Sequence, residues 1–224
     1  MAASIKTITI LGLGSILSER SARVTFPGLT NFRIGRVRGY RRIFAHTPAI
    51  FVERGIADTG TLEMSSLSAE ECDDASFACT VFEVVDEGLG MDAFREREEE
   101  FELRMVPYEG HDGTPAGVGL LCVASTDVAY VTAWGAERFQ RLYTDRGMRT
   151  IWSWPRDSGL RPCGTYLRHC VLAAQKLGGE AKASFLDQTY LVDRKTTIRQ
   201  YLAGAGDGVM ATLPPTALAE RYGG

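Results

Sequence analysis

The sequence predicts an α+β protein, a mixed-strand β-barrel with flanking helices. Two observations point there. Short runs rich in β-branched and aromatic residues fill roughly the first 135 residues, and helical periodicity comes only after them. Strands first and helices late argue against a doubly wound sheet with helices on both faces. A third observation sets the scale: 224 residues, 45% of them hydrophobic, can bury a sizeable core without a disulfide or a metal as a staple. No internal repeat or linker divides the chain. Residues 1–180 are expected to form one domain, with 181–224 as a C-terminal helical extension packed on it.

The elements follow in order. "TITILG" alternates as a strand and runs into Gly12 and Gly14. "FRIGRVRGYRRIFAH" reads as a strand pair, with Gly35 and Gly39 as bulge or bend positions. Residues 48–71 read as short strands and loops. "SFACTVFEVV" is the clearest interior strand. "DEGLGMDAFREREEEF" is helical, "FELRMVPYE" returns to strand, and "PAGVGLLCVASTDVAYVTAW" supplies one or two more strands around a turn at Ser125, Thr126 and Asp127. Thr165 is the expected N-cap of a helix whose Leu167, Cys170, Val171, Ala174 and Leu177 share one face, ended by Gly178 and Gly179. Helices from Ser184 and through "TTIRQYLAG" come next, then a Gly, Pro and Ala-rich tail expected to be loosely held.

Several function classes are excluded at this level. The glycine loop lacks the third glycine of a dinucleotide fingerprint, since Leu17 stands there. No Asp or Glu lies between Glu19 and Glu53 to hold a ribose. No Gly-Lys-Ser or Gly-Lys-Thr follows, so it is not a P-loop. The net charge of −3 argues against nucleic acid as a partner, and the arginines of residues 33–42 read as a solvated sheet face. The N-terminus has no secretory signal and no segment reaches the roughly 20 apolar residues of a membrane span, so a cytoplasmic protein is expected. The five cysteines are an odd number without C-x-x-C spacing, which predicts reduced thiols and no metal site. No cofactor is expected. Oligomeric state is left open.

The acidic run after the interior strand is the most informative stretch. Glu99, Glu100 and Glu102 read as a solvated helix face. At about 100° per residue, Met91, Phe94 and Glu98 share one stripe, which draws Glu98 toward the core while Glu96 points away. An acid at the rim of a core meets desolvation, which raises its pKa and suits it to proton shuttling.

Four motifs in order resemble those of the γ-glutamylcyclotransferases. Leu13-Gly14-Ser15-Ile16-Leu17 resembles that family's Tyr-Gly-Ser-Asn-Leu loop, and "GRVRGYRRIF" resembles its Ala-Arg-Leu-x-Gly-Tyr strand. "TVFEV" with "FRERE" is similar to its V-Y-x-V strand and Leu-Asp-x-x-Glu helix. Tyr166 in "RPCGTYLRHCVLAA" matches the tyrosine of its Ser-x-x-Tyr helix, and the likeness spans residues 8 to about 178. Leu13, Ile16 and Arg95 depart from the family's tyrosine, asparagine and aspartate.

The resemblance implies a mixed-strand barrel and conversion of a γ-glutamyl compound to 5-oxoproline, without a cofactor. It puts the acid/base on Glu98, or on Glu96 if the spacing is closed up differently, and substrate binding on Leu13, Gly14, Ser15, Ile16, Leu17 and Tyr166. The substrate's own amine is the nucleophile, so no Ser-His-Asp or Cys-His set is needed. A glycine turn that presents backbone N–H groups would hold the glutamyl carboxylate. The departures at Leu13 and Ile16 leave open an alternative: a non-catalytic module of the same fold that binds a small metabolite or a partner.

Overall fold

The computed structural model describes residues 7–85 and 94–224. Its strands are β1 (Thr7–Gly12), β2 (Thr30–His46), β3 (Glu63–Val85), β4 (Glu102–Gly110), β5 (Pro115–Val123), β6 (Arg161–Pro162) and β7 (Thr189–Leu191). Five of them close on themselves in the order β3, β1, β5, β4, β2 and back to β3. The β1–β5 seam is parallel and the other four are antiparallel, so this is a mixed-strand barrel, as the sequence predicts. β6 and β7 extend it by parallel pairing with β3 and β2. Among the described residues, no helix is long and apolar enough to cross a membrane.

Period-2 alternation divides the apolar side chains between two cores. On β1 and β3, Ile10, Phe82 and Val84 join Ala22, Phe26 and Phe94 in one cluster. Their neighbours Leu11 and Val81 turn the other way, into a larger core shared with Leu167, Cys170, Val171 and Ala174 of the Gly164–Lys176 helix and Phe185 of the Gly179–Asp187 helix. The late helices therefore cover the barrel with the apolar face their periodicity prescribes.

Several local expectations are corrected. Residues 30–46 form one long strand and not a pair. Gly39, at φ +76°, absorbs a register shift between Arg38 and Tyr40 without reversing the chain, and β3 accommodates residues 72–75 opposite it. Ala49–Glu53 is a short helix just after Pro48. Asp127–Trp134 is helical despite its β-branched and aromatic composition, because the Thr126 side chain accepts from Ala129 N at 3.0 Å and starts it. Cys163 and not Thr165 is the N-cap residue of Gly164–Lys176, and the next helix begins at Gly179 rather than Ser184. The tail is not loose: Tyr222 is buried and accepts from Arg54 Nη1 at 2.7 Å, and Gly224 N donates to His169 Nδ1 at 3.0 Å. Met91 lies outside the described residues.

The arginine-rich face is only partly solvated. Arg33, Arg36, Arg38 and Arg41 pair with Glu83, Glu180, Glu109 and Glu70. Arg42 is fully buried, with no carboxylate partner among the described residues. It lies between the rings of Phe77 and Phe185, 5.0 and 4.9 Å from their centroids, and donates to Ala78 O at 3.1 Å and Ser184 Oγ at 3.0 Å. Burial pulls its pKa down to about 9. Its stem and ring contacts fix the Gly179–Asp187 helix on the barrel. Arg42→Ala should lower the unfolding free energy by about 3 kcal/mol, and Arg42→Met, which keeps the stem and removes a buried charge, by at least about 1 kcal/mol less. Urea denaturation measures both; an unchanged midpoint in Arg42→Ala would refute the assignment.

Candidate active site

A cavity of about 310 Å³ is lined by the glycine loop after β1, residues 48–54, the Ser66–Leu67 part of β3, the acidic segment 96–101, Cys122 of β5, Arg138 and Leu142, Tyr166, and Arg221 with Tyr222 of the tail. Of the residues singled out from the sequence, Leu13, Gly14, Ser15, Ile16, Glu98 and Tyr166 line it. Leu17 does not: it is buried in the larger core, and its N–H donates to Gly14 O at 2.9 Å, so it has none to offer a ligand.

The loop is held by its carbonyls. Gly14 O accepts from Leu17 N, Ser15 O faces His169 Nε2 at 3.0 Å, and Ile16 O accepts from Thr80 Oγ1 at 2.9 Å. Because Gly224 N donates to His169 Nδ1, the neutral imidazole carries its proton on Nε2 and donates to Ser15. Burial lowers the pKa of His169, which favours this neutral form. The N–H groups of Ser15 and Ile16 have no partner among the described residues. Two glycines permit the arrangement. A Cβ on Gly12 would lie 2.2 Å from Thr80 Oγ1, and one on Gly14 would lie 2.2 Å from the Tyr166 hydroxyl. Loop and tyrosine thus approach more closely than any side chain at position 14 allows. Burial raises the Tyr166 pKa well above the usual tyrosine range, so its hydroxyl stays a donor.

The acidic segment is anchored by Phe94, which is buried against Phe26 with ring centroids 5.2 Å apart. Residues 94–97 are helical, and Glu98 N donates to Phe94 O at 2.9 Å, which brings Glu98 round to the cavity. Its side chain is 15% exposed and forms an ion pair with Arg97, Nε to Oε1 at 3.0 Å. Glu96 is exposed and sits at the cavity rim.

Glu99 and Glu100 are not on a solvated face. Glu99 accepts from Tyr130 OH at 2.9 Å and pairs with Arg138 at 2.6 Å. Glu100 is 6% exposed and accepts from Tyr143 OH at 2.9 Å. Desolvation, opposed by the Tyr143 hydrogen bond and aided by the charge of Glu98, raises the Glu100 pKa to about 8. The strongly desolvated carboxyl of the segment is therefore Glu100. The Trp134 and Trp152 indoles also donate to the carbonyls of Glu99 and Glu100, at 3.1 and 3.0 Å. Sequence reasoning missed these partners because residues 127–134 read as strand and 136–152 were given no role. It also missed Arg54 and Arg221 in the cavity wall, which come from a short helix and from the tail.

No family model matches the chain, and no curated protein matches it. Similar solved structures include a protein from Homo sapiens described as uncharacterized (10% identity, 77% of this chain and 80% of that one, TM-score 0.48). A gamma-glutamyl cyclotransferase gives 10% identity over 77% and 81%, with a TM-score of 0.46. A glutathione-specific gamma-glutamyl cyclotransferase from yeast gives 13% over 76% and 87%, with a TM-score of 0.42.

Two predictions follow from this geometry. Gly14→Ala should destabilise the fold by about 2 kcal/mol through overpacking against Tyr166. Removing the hydroxyl with Tyr166→Phe leaves the nearest ring carbon 3.4 Å from the new Cβ, so the double variant should recover about 1 kcal/mol relative to the sum of the singles. Strict additivity in a thermal or urea double-mutant cycle would contradict the contact.

Glu100 gives a pH test. In the fold it titrates near 8, against an ordinary 4.5, so between these values the folded state holds a proton that the unfolded chain has lost. The stability this group contributes is full below about pH 4.5 and is lost as pH rises through about 8. Glu100→Gln mimics the protonated form. From about pH 5 to about pH 9 its unfolding free energy should gain on the wild type by at least about 1 kcal/mol. A difference constant over that range would sink the assignment.

Proposed function

We propose that the cavity converts a γ-glutamyl compound to 5-oxoproline and a free amine or amino acid, as a γ-glutamylcyclotransferase-type enzyme with Glu98 as acid/base. One observation carries the reading. Ser15, Ile16, Glu98 and Tyr166 line one cavity, and the N–H groups of Ser15 and Ile16 have no partner among the described residues. The resemblance of these same stretches to the family's motifs supports it from the sequence.

The chemistry asks little of the protein. The glutamyl α-ammonium gives a proton to Glu98, and the freed amine attacks the γ-carbonyl carbon of the same molecule. The C–N bond to the leaving group breaks as Glu98 returns the proton to the departing nitrogen, and the ring nitrogen gives up its surplus proton as well, so that 5-oxoproline forms and the leaving group departs as an ammonium. Ring closure is intramolecular, so the pocket's contribution is to hold the chain folded. Backbone N–H groups of the loop take the glutamyl carboxylate, and the Tyr166 hydroxyl is a donor for the oxyanion. A second assignment has one observation behind it: Glu100, in the same cavity and with its pKa near 8, is protonated at neutral pH and suited to donate to the leaving nitrogen.

The test is incubation with glutathione, γ-glutamyl amino acids and γ-glutamylamines, with mass-spectrometric detection of 5-oxoproline. Glu98→Gln should fold and lose roughly 10²-fold in kcat, whereas Glu96→Gln should keep wild-type turnover. Loss confined to Glu100→Gln would move the acid/base two residues along. No product from any compound would favour the binding module.

A further inference from the structure

Two arginines of the cavity wall are left over once the ion pairs around it are formed. Glu53 pairs with Arg146, Glu98 with Arg97 and Glu99 with Arg138, at 2.6, 3.0 and 2.6 Å. Arg54 and Arg221 line the same cavity and have no acidic partner among the described residues. Glu96, on the rim, is exposed and pairs with neither.

Both arginines stand beside Tyr222. Arg54 Nη1 donates to its hydroxyl at 2.7 Å with the guanidinium 5.9 Å from the ring centroid, and Arg221 is its neighbour in the chain. Arg97, whose Nε is committed to Glu98, keeps Nη1 buried with no hydrogen-bond partner. The three cations feel one another: burial first, then the charges of Arg97 and Arg54, lower the Arg221 pKa. Like charges gathered in a partly desolvated wall are costly unless an anion joins them.

We propose that Arg54, Arg97 and Arg221 form a carboxylate-binding cluster that reads the leaving group. This rests on the function proposed above, in which the glycine loop already takes the carboxylate of the glutamyl head. The second anion site then selects γ-glutamyl amino acids and peptides, whose leaving amine carries a carboxylate, over γ-glutamylamines, whose leaving amine carries none. Guanidinium groups suit this task because their fork of N–H donors matches a carboxylate in two bonds at once.

γ-Glutamylglycine and γ-glutamylethylamine differ little beyond that carboxylate. The wild type should favour γ-glutamylglycine in kcat/KM by roughly 10- to 100-fold, the range for a hydrogen bond to a charged group. Most of that preference should lie in KM. Arg221→Gln and Arg54→Gln should each bring the ratio toward one, and Arg221→Lys should restore part of it. Equal use of both compounds by the wild type overturns the cluster and leaves the enzyme reading standing. If neither is turned over, the enzyme reading fails and calorimetric binding decides the cluster alone. Tighter binding of γ-glutamylglycine that Arg221→Gln abolishes upholds it. Equal binding, or none, overturns it.

Discussion

The molecule depends on the long antiparallel ladder between β2 and β3. It runs from Thr30↔Glu83 to His46↔Ser66 and is the seam that closes the barrel. Strands of 17 and 23 residues are longer than one wall of a small barrel needs, so the ladder bends at Gly39 and continues past the barrel. Its barrel end holds Thr80, which fixes the glycine loop. Its far end delivers Ser66 and Leu67 to the cavity and runs on through Thr47 into the segment carrying Arg54. A slip of one residue would exchange the two faces of β3 and separate these groups.

A second constraint acts across that ladder. The loop after β1 can meet Tyr166 only because position 14 has no side chain, and it stays there because one carbonyl closes its own turn and the next two are tied to His169 and Thr80. His169 is the joint. One nitrogen faces the loop and the other accepts from Gly224, so the loop, the Gly164–Lys176 helix and the tail are linked through a single neutral ring. Tyr222 and Arg221 reach the cavity wall through the same tail. Packing that looks remote from the site thereby sets the position of groups that line it.

How much of this was legible follows from the range of each interaction. Strand alternation in "TITILG" and "SFACTVFEVV" and the apolar face of "YLRHCVLAA" are local signals, and the barrel and its covering helix follow them. Gly14, Glu98 and Tyr166 could be named because short motifs mark them. Leu17 belongs to the same motif yet lies outside the cavity wall, because a 3-10 turn over Ser15–Leu17 consumes its N–H inside the loop, which spacing does not reveal. Arg42 looked solvated because the alternation of β2 gives its direction but not the Phe185 and Ser184 that cover it from more than 140 residues away. The helix at Asp127 was lost because one side-chain cap outweighed the β propensity of a whole segment.

The acidic run shows why a charge pattern in sequence underdetermines its chemistry. Four glutamates between positions 96 and 100 meet four different environments: water at Glu96, Arg97 at Glu98, Arg138 with Tyr130 at Glu99, and Tyr143 in a dry pocket at Glu100. The covering elements of residues 127–152 create these differences, since their Tyr and Trp donors bind the carboxyls and carbonyls of Glu99 and Glu100. Desolvation without a cation raises a carboxyl pKa, whereas a guanidinium partner favours the charged form. Burial with no cation beside it raises the Glu100 carboxyl to about 8, while Glu98 and Glu99 each face a guanidinium group, so one short charge run spans unlike electrostatic settings.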